Sequence, residues 1–210
     1  AALGMILSDL PGTRRGAMVP LVMGLALFIG IHLLTTQTDL RQGLTQRMGL
    51  GPYKGLYSLL SFAGLALIIL GYHKMQLAPG KNPVLWNTPI WGRHVTMLLM
   101  LPVFPLLVST YLPGRISAAV RHPMITAIKF WALAHLFVRG DVASLLLFGG
   151  LLGWAVYDRI SLKHREAAGL ISVRAGPARN DIIAIVAGLA IYGAFLKWGH
   201  ALLIGVPLLP

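Results

Sequence analysis

Seven histidines stand out in a 210-residue chain that is 56% apolar and contains no cysteine. His32 and His135 fall inside long apolar runs, and His122 comes directly before Pro123, a residue that favours the first turn of a helix. An ionisable side chain in an apolar, membrane-length segment is costly unless it is paired, hydrogen-bonded or bound to a metal. These histidines therefore predict metal or cofactor chemistry, whereas thiolate nucleophiles and thiolate ligands are excluded.

The composition indicates that a membrane surrounds these histidines. Only 11% of the residues are charged, against about 25% in typical soluble domains, and the mean hydropathy is +0.73. We therefore predict an all-α fold, a polytopic transmembrane helix bundle of about six spans in the lipid bilayer. Residues 1–17 form an N-terminal arm in this interpretation, and residues 18–210 form a single transmembrane domain. The predicted spans are 18–35, 53–72, 94–112, 121–137, 142–157 and 182–206.

The charged residues narrow the class of protein further. The formal charge is +12, but the basic residues occur singly between apolar runs, as in loops that face anionic headgroups, so we expect no nucleic-acid partner. The positive-inside rule places the first, third and fifth connections in the cytoplasm and both termini outside. The six carboxylates are predicted to lie in loops or at helix ends, which argues against a buried acid–base pair. Asp158 and Arg159 form a surface ion pair or a helix end in this interpretation, the alternative being that Arg159 binds a haem propionate.

Several histidine pairs could hold a haem. Two imidazoles on one iron need a similar depth on facing helices. The pairs that satisfy this are His32 with His122, His94 or His73 with His135, and, if the first helix is long, His32 with His135. A histidine at a helix end is also commonly hydrogen-bonded to water, to headgroups or to a helix carbonyl. The residues alone leave these alternatives open.

A series of short motifs runs through the chain in order. The segments are GIHLL (30–34), GPYKGLYSLLSFAGLALIILGY (51–72), W-x-R-H (91–94), YLPGRISAAVRHPM (111–124), KFWALAH (129–135), GDVASLLLFG (140–149) and WAVYDRISLKHR (154–165). Together they resemble the NnrU family of bacterial membrane proteins over nearly all of the chain from Met18 onward. The resemblance implies a multi-pass haem b protein of the cell inner membrane. It also implies His32 and His135 as axial ligands, with His122 and His94 as further candidates.

The resemblance implies a function as well. The family takes its name from denitrification loci, which implies a role in nitrite and nitric oxide metabolism through a redox or nitric-oxide-responsive haem. The family also includes the plant 15-cis-zeta-carotene isomerase, a membrane enzyme with haem b, so cis–trans isomerisation of a carotenoid-like polyene is an alternative. The plant enzyme has a cysteine three residues before the histidine that matches His135, and this chain has Ala132 there, so thiolate ligation is unavailable. A third hypothesis is a cofactor-free subunit that partners other membrane subunits.

Overall fold

A computed structural model describes residues 12–77, 80 and 82–209. Helices account for most of this part of the chain, and each long helix contains an apolar run. They are α1 (Gly12–Leu34), α2 (Thr38–Met48), α3 (Leu50–Leu77), α4 (Gly92–Met100), α5 (Val103–Tyr111), α6 (Arg115–Val120), α7 (Pro123–Val138), α8 (Val142–Ala167) and α9 (Ala178–Ile204). Most of the predicted N-terminal arm lies outside the described residues, and α1 begins before Met18.

Four stretches among the described residues are long and apolar enough to cross a membrane, namely α3, Gly92–Tyr111, α8 and α9. A fifth results if Met18–Leu34 and α2, which are bent by 88° relative to each other, count as one span. Helix α7 has 16 residues, about 24 Å at the usual rise, and falls short of the roughly 30 Å hydrocarbon core. The structure thus confirms an all-helical membrane protein, and six is an approximate number of spans.

The chain divides into two compact units. Unit 1 comprises residues 1–88 and 139–154, and unit 2 comprises residues 89–138 and 155–210. Helices α1, α2 and α3 and the first half of α8 belong to unit 1, whereas α4 to α7, the rest of α8 and α9 belong to unit 2. The single domain expected over residues 18–210 stays a prediction.

Glycines set the packing of α1 on α3 in unit 1. A Cβ atom on Gly24 would lie 2.5 Å from the backbone N of Ile68, and one on Gly64 would lie 2.8 Å from the backbone N of Phe28. Gly71 faces the backbone of Leu21 even more closely. Helix backbones can approach this closely only where a side chain is missing, as small-residue interfaces in membranes require. The two helices therefore bring the last turn of α1 against the first turns of α3.

A separate core holds unit 2 together. Val103 and Leu106 of α5, Ala127 and Ala134 of α7 and Tyr192 of α9 are all buried in one apolar cluster. Two polar bonds connect its helices: the Tyr192 hydroxyl donates to the Met97 carbonyl at 2.9 Å, and Thr96 Oγ1 donates to the Ala134 carbonyl at 3.0 Å. The first bond fixes α4 against α9, and the second fixes α4 against the C-terminal end of α7.

Candidate functional site

His32 lies in the last turn of α1. Its Nδ1 atom is 2.7 Å from the carbonyl oxygen of Phe28, one turn earlier. A carbonyl can only accept, so Nδ1 carries the proton and donates, and the neutral ring keeps its lone pair on Nε2. The imidazole also lies on the Phe28 ring, with 4.1 Å between the ring centroids. The orientation and the tautomer of His32 are both set by α1 itself.

Aromatic side chains of unit 1 surround His32. The ring centroids of Tyr57 and Trp154 lie 5.5 Å and 5.4 Å from that of the imidazole, and Trp154 meets it edge-on. Tyr53 lies one turn before Tyr57 on α3, with 6.4 Å between their ring centroids. Phe28, Tyr53, Tyr57 and Trp154 form an aromatic cluster beside His32, which is itself half-buried.

Two polar atoms of the aromatic cluster have no partner. The hydroxyl of Tyr53 and the indole Nε1 of Trp154 are buried, and neither forms a hydrogen bond to any residue that the structure describes. Buried donors without an acceptor are rare and cost about 1–3 kcal/mol each. A bound group or an ordered water with acceptor atoms would satisfy them, so the cluster fits a cofactor that carries oxygen acceptors.

His135 has the same local geometry in unit 2. It lies in the last turn of α7, and its Nδ1 donates to the Trp131 carbonyl, one turn earlier, at 2.8 Å. The Trp131 ring is 5.3 Å from the imidazole, centroid to centroid. Its neighbours Ala132 and Ala134 are completely buried, whereas the imidazole itself is half-buried. As at His32, the lone pair of the neutral ring is on Nε2.

This shared geometry suits a metal ligand. Histidines that bind metals usually donate their other ring N–H to a carbonyl or a carboxylate, which fixes the tautomer and raises the basicity of the ligating nitrogen. The C-terminal end of a helix carries a partial negative charge, which favours a cation nearby. His32 and His135 meet both conditions. No group of three or more His, Asp or Glu side chains able to hold a metal ion occurs in the described ranges.

His122 has a different environment. Its Nε2 is hydrogen-bonded to Oε1 of Glu166 near the end of α8, and the Arg121 guanidinium binds the other oxygen of the same carboxylate, with Nη2 at 2.6 Å from Oε2. Burial lowers the pKa of His122 below its ordinary value of 6.5, and the hydrogen bond and charge of Glu166 offset only part of this effect. The structure thus makes His122 part of a tertiary contact within unit 2.

His94, the other predicted candidate, lies near the start of α4 and is exposed. It lines a cavity of about 480 Å³ in unit 2, together with Arg93 and Met97. Neither a carbonyl nor a carboxylate fixes its tautomer within the described part of the chain. His94 and His122 therefore lack the geometry that His32 and His135 share.

The structure corrects the prediction for Asp158 in two respects, its burial and its ion-pair partner. Asp158 is buried inside α8 rather than at a helix end, and its ion-pair partner is Arg165, two turns later, at 3.5 Å, rather than Arg159. The sequence missed this because the acid and its partner are seven residues apart, on one face of a helix that continues to Ala167 through an apparently polar loop.

Asp141 is the second buried carboxylate. It accepts hydrogen bonds from Gln76 at 3.0 Å, Asn82 at 2.8 Å, and both the amide and the hydroxyl of Ser144, with the Arg139 guanidinium 3.5 Å away. Burial acts to raise the pKa of Asp141, but the bonds from Asn82 and Ser144 and the charge of Arg139 outweigh it, so the pKa lies below 3.8. Asp141 caps α8 and ties it to the chain that follows α3.

The fold defines a helical membrane protein, in which two histidines at the ends of apolar helices donate Nδ1–H to a carbonyl one turn earlier. The NnrU protein family model matches residues 20–208, and the chain belongs to that family. This confirms the resemblance seen in the motifs. No curated protein and no solved structure matches the chain.

Sequence reasoning missed the aromatic cluster around His32. Tyr53 and Tyr57 are one turn apart near the start of α3, and that spacing could have indicated a shared face. Nothing in the sequence could have indicated Trp154, which is far from both along the chain.

Proposed function

We propose that this protein is a haem b protein of the cell inner membrane, with Nε2 of His32 and Nε2 of His135 as the two axial ligands. The observation that carries the proposal is the hydrogen bond that each Nδ1 donates to the carbonyl four residues earlier. Of the histidine pairs that the sequence left open, the family resemblance favours this one. Nε2 of His122 is hydrogen-bonded to a carboxylate, and His73 and His94 are exposed.

The surroundings of the two histidines support the same role. When bound, haem supplies reversible one-electron chemistry and an iron that can bind nitric oxide. The carbonyls of Phe28 and Trp131 each hold an imidazole in the tautomer that ligation through Nε2 requires. The aromatic rings pack beside His32, and the unpaired donors of Tyr53 and Trp154 can bind acceptor atoms of the bound group.

The proposed physiological role is in nitrite and nitric oxide metabolism, as a redox or nitric-oxide-responsive membrane partner. This part rests on membership of the NnrU family. A bis-histidine site suits electron transfer, and loss of one histidine would open the site to a gas. Isomerisation of a polyene and a cofactor-free subunit role stay the alternatives.

A visible absorption spectrum of the full chain, purified in detergent from cells supplied with a haem precursor, tests the cofactor. A pyridine haemochrome assay identifies haem b, and sharp α and β bands on dithionite reduction indicate a low-spin, six-coordinate iron. His32→Ala and His135→Ala should each abolish the low-spin bands, whereas the exposed His73→Ala should leave them intact. A colourless protein that stays colourless after haem is added would overturn the proposal and leave the subunit hypothesis.

The same preparation separates the two haem functions. Nitric oxide added to the reduced protein should shift the Soret band, and a cis-polyene in the detergent micelle should stay unchanged. Conversion of the polyene by the reduced protein, lost in His135→Ala, would favour the isomerase instead.

A further inference from the structure

A cavity near the start of α4 has two chemically different walls. It measures about 480 Å³ and lies within unit 2. The residues that line it are Ile90, Arg93, His94, Met97, Pro207, Leu208 and Leu209. One wall thus carries an arginine and a histidine, and the remainder is apolar.

The C-terminal wall is held in place by a turn after α9. Gly205 has a φ of +78°, a left-handed conformation that ends α9 and that glycine adopts without strain. The Nδ1 of His200 donates to the carbonyl of Val206 at 2.7 Å. These two features turn the chain back and position Leu208 and Leu209 as the second wall.

The basic wall is available for an anion. Arg93 and His94 form no side-chain hydrogen bond or ion pair with any residue in the described part of unit 2. Both are exposed, so they can reach a ligand without being desolvated first. An arginine and an imidazole on adjacent residues are a suitable pair of donors for a phosphate.

The surroundings indicate a lipid. Ile90 is 86% exposed and Leu202 is 82% exposed, as expected for side chains that face acyl chains. Trp91, two residues before Arg93, is also largely exposed, and tryptophan is enriched where the headgroups meet the hydrocarbon. The basic wall therefore belongs at headgroup level and the apolar wall at the start of the acyl region.

We propose that this cavity binds one anionic phospholipid, with the phosphate on Arg93 and His94 and an acyl chain between Met97 and Leu208. A free phosphate would use the basic wall alone and would leave the apolar wall open. The proposal is independent of the haem, because no residue of the cavity is among the proposed axial ligands.

Native mass spectrometry of the full chain in a neutral detergent measures the binding. Phosphatidylglycerol should bind more tightly than phosphatidylcholine with the same acyl chains. Arg93→Gln should weaken phosphatidylglycerol binding by about tenfold, the size expected for one charge-assisted bond. The matched control is Arg174→Gln, which removes another exposed arginine of the same unit and should leave phosphatidylglycerol binding unchanged.

A second variant tests the apolar wall. Met97→Trp should fill the cavity and weaken the binding of both phosphatidylglycerol and phosphatidylcholine. If the thermal unfolding midpoint of Arg93→Gln is unchanged, its loss of lipid binding does not result from loss of the fold. Equal binding by Arg93→Gln and Arg174→Gln would overturn the proposal. Displacement of phosphatidylglycerol by millimolar inorganic phosphate would overturn the lipid assignment and identify a simple anion site.

Discussion

The Nε atom of Arg121 donates to Oε2 of Glu166 at 2.7 Å, and the neighbouring His122 binds Oε1 of the same carboxylate. One side chain near the end of α8 thus holds both residues that precede α7. Glu166→Gln keeps the shape but removes the charge on which both bonds depend, so we expect the thermal unfolding midpoint to fall by a few degrees. Lys163→Gln, which removes an exposed charge on the same helix, is the control and should leave the midpoint unchanged.

Acid should weaken unit 2 through His122. Because its pKa in the folded protein lies below 6.5, the unfolded chain takes up the proton first as pH falls. The contribution of neutral His122 is therefore complete above pH 6.5 and is lost as pH falls through the lowered pKa. Melting curves between about pH 7.5 and about pH 5.5 should show this loss, and His122→Gln should reduce it. A wild-type protein that gains stability over this interval would show that the Glu166 charge outweighs burial.

The α1–α3 contact should tolerate no side chain at Gly24. In Gly24→Ala the new Cβ would meet the backbone of Ile68, so the helices must separate, at a cost of about 1–3 kcal/mol. Gly55→Ala on α3 is the matched control, because nothing lies within 4 Å of a Cβ there. The free energy of unfolding, measured by titration with a denaturing detergent, should be lower for Gly24→Ala than for Gly55→Ala. Equal stability would contradict the close approach of the backbones.

The unpaired hydroxyl of Tyr53 offers a test of the aromatic cluster. Tyr53→Phe removes a buried donor that has no acceptor among the described residues, so the haem-free protein should be unchanged or more stable, by about 1 kcal/mol. If the hydroxyl binds the cofactor, the same variant should lose haem more readily, measured by transfer to apomyoglobin. Unchanged haem retention would show that the Tyr53 hydroxyl does not bind the cofactor. It would say nothing about the axial ligands.

Asp141→Asn should destabilise unit 1. The carboxylate accepts from Gln76, Asn82 and Ser144, and an amide cannot accept at both positions, so at least one buried donor is left without a partner. We expect a loss of about 3 kcal/mol, read from thermal unfolding. Asp39 is an exposed acid in the first turn of α2, so Asp39→Asn provides the comparison and should lower the free energy of unfolding much less.

The sequence predicted the long helices well because apolar runs bounded by glycine, proline and charge leave few alternatives. It did not predict the sharp bend after α1. There the hydroxyls of Thr35 and Thr36 bond to the carbonyls of His32 and Leu33, ending a helix that the apolar pattern would allow to continue. Single local bonds of this kind are invisible to periodicity.

The assignment of His32 and His135 as ligands stays a prediction. The motifs selected His32 and His135, but the depth argument could not, since it depended on where each helix ends. The tautomers follow from bonds to Phe28 and Trp131 that any helical histidine could make and many do not. Burial of Asp158 was missed because charge along a helix was taken as a loop signal.

The 88° bend has a consequence for how His32 is reached. If α1 runs along the membrane normal, α2 lies flat in the plane of the headgroups, with Arg41 and Arg47 exposed to them. A helix that lies in the headgroup plane would fix the depth of the end of α1 when the thickness of the bilayer changes. His32, half a turn before the bend, would then stay close to the membrane–water interface. Small ligands would reach it from the aqueous phase rather than through the hydrocarbon.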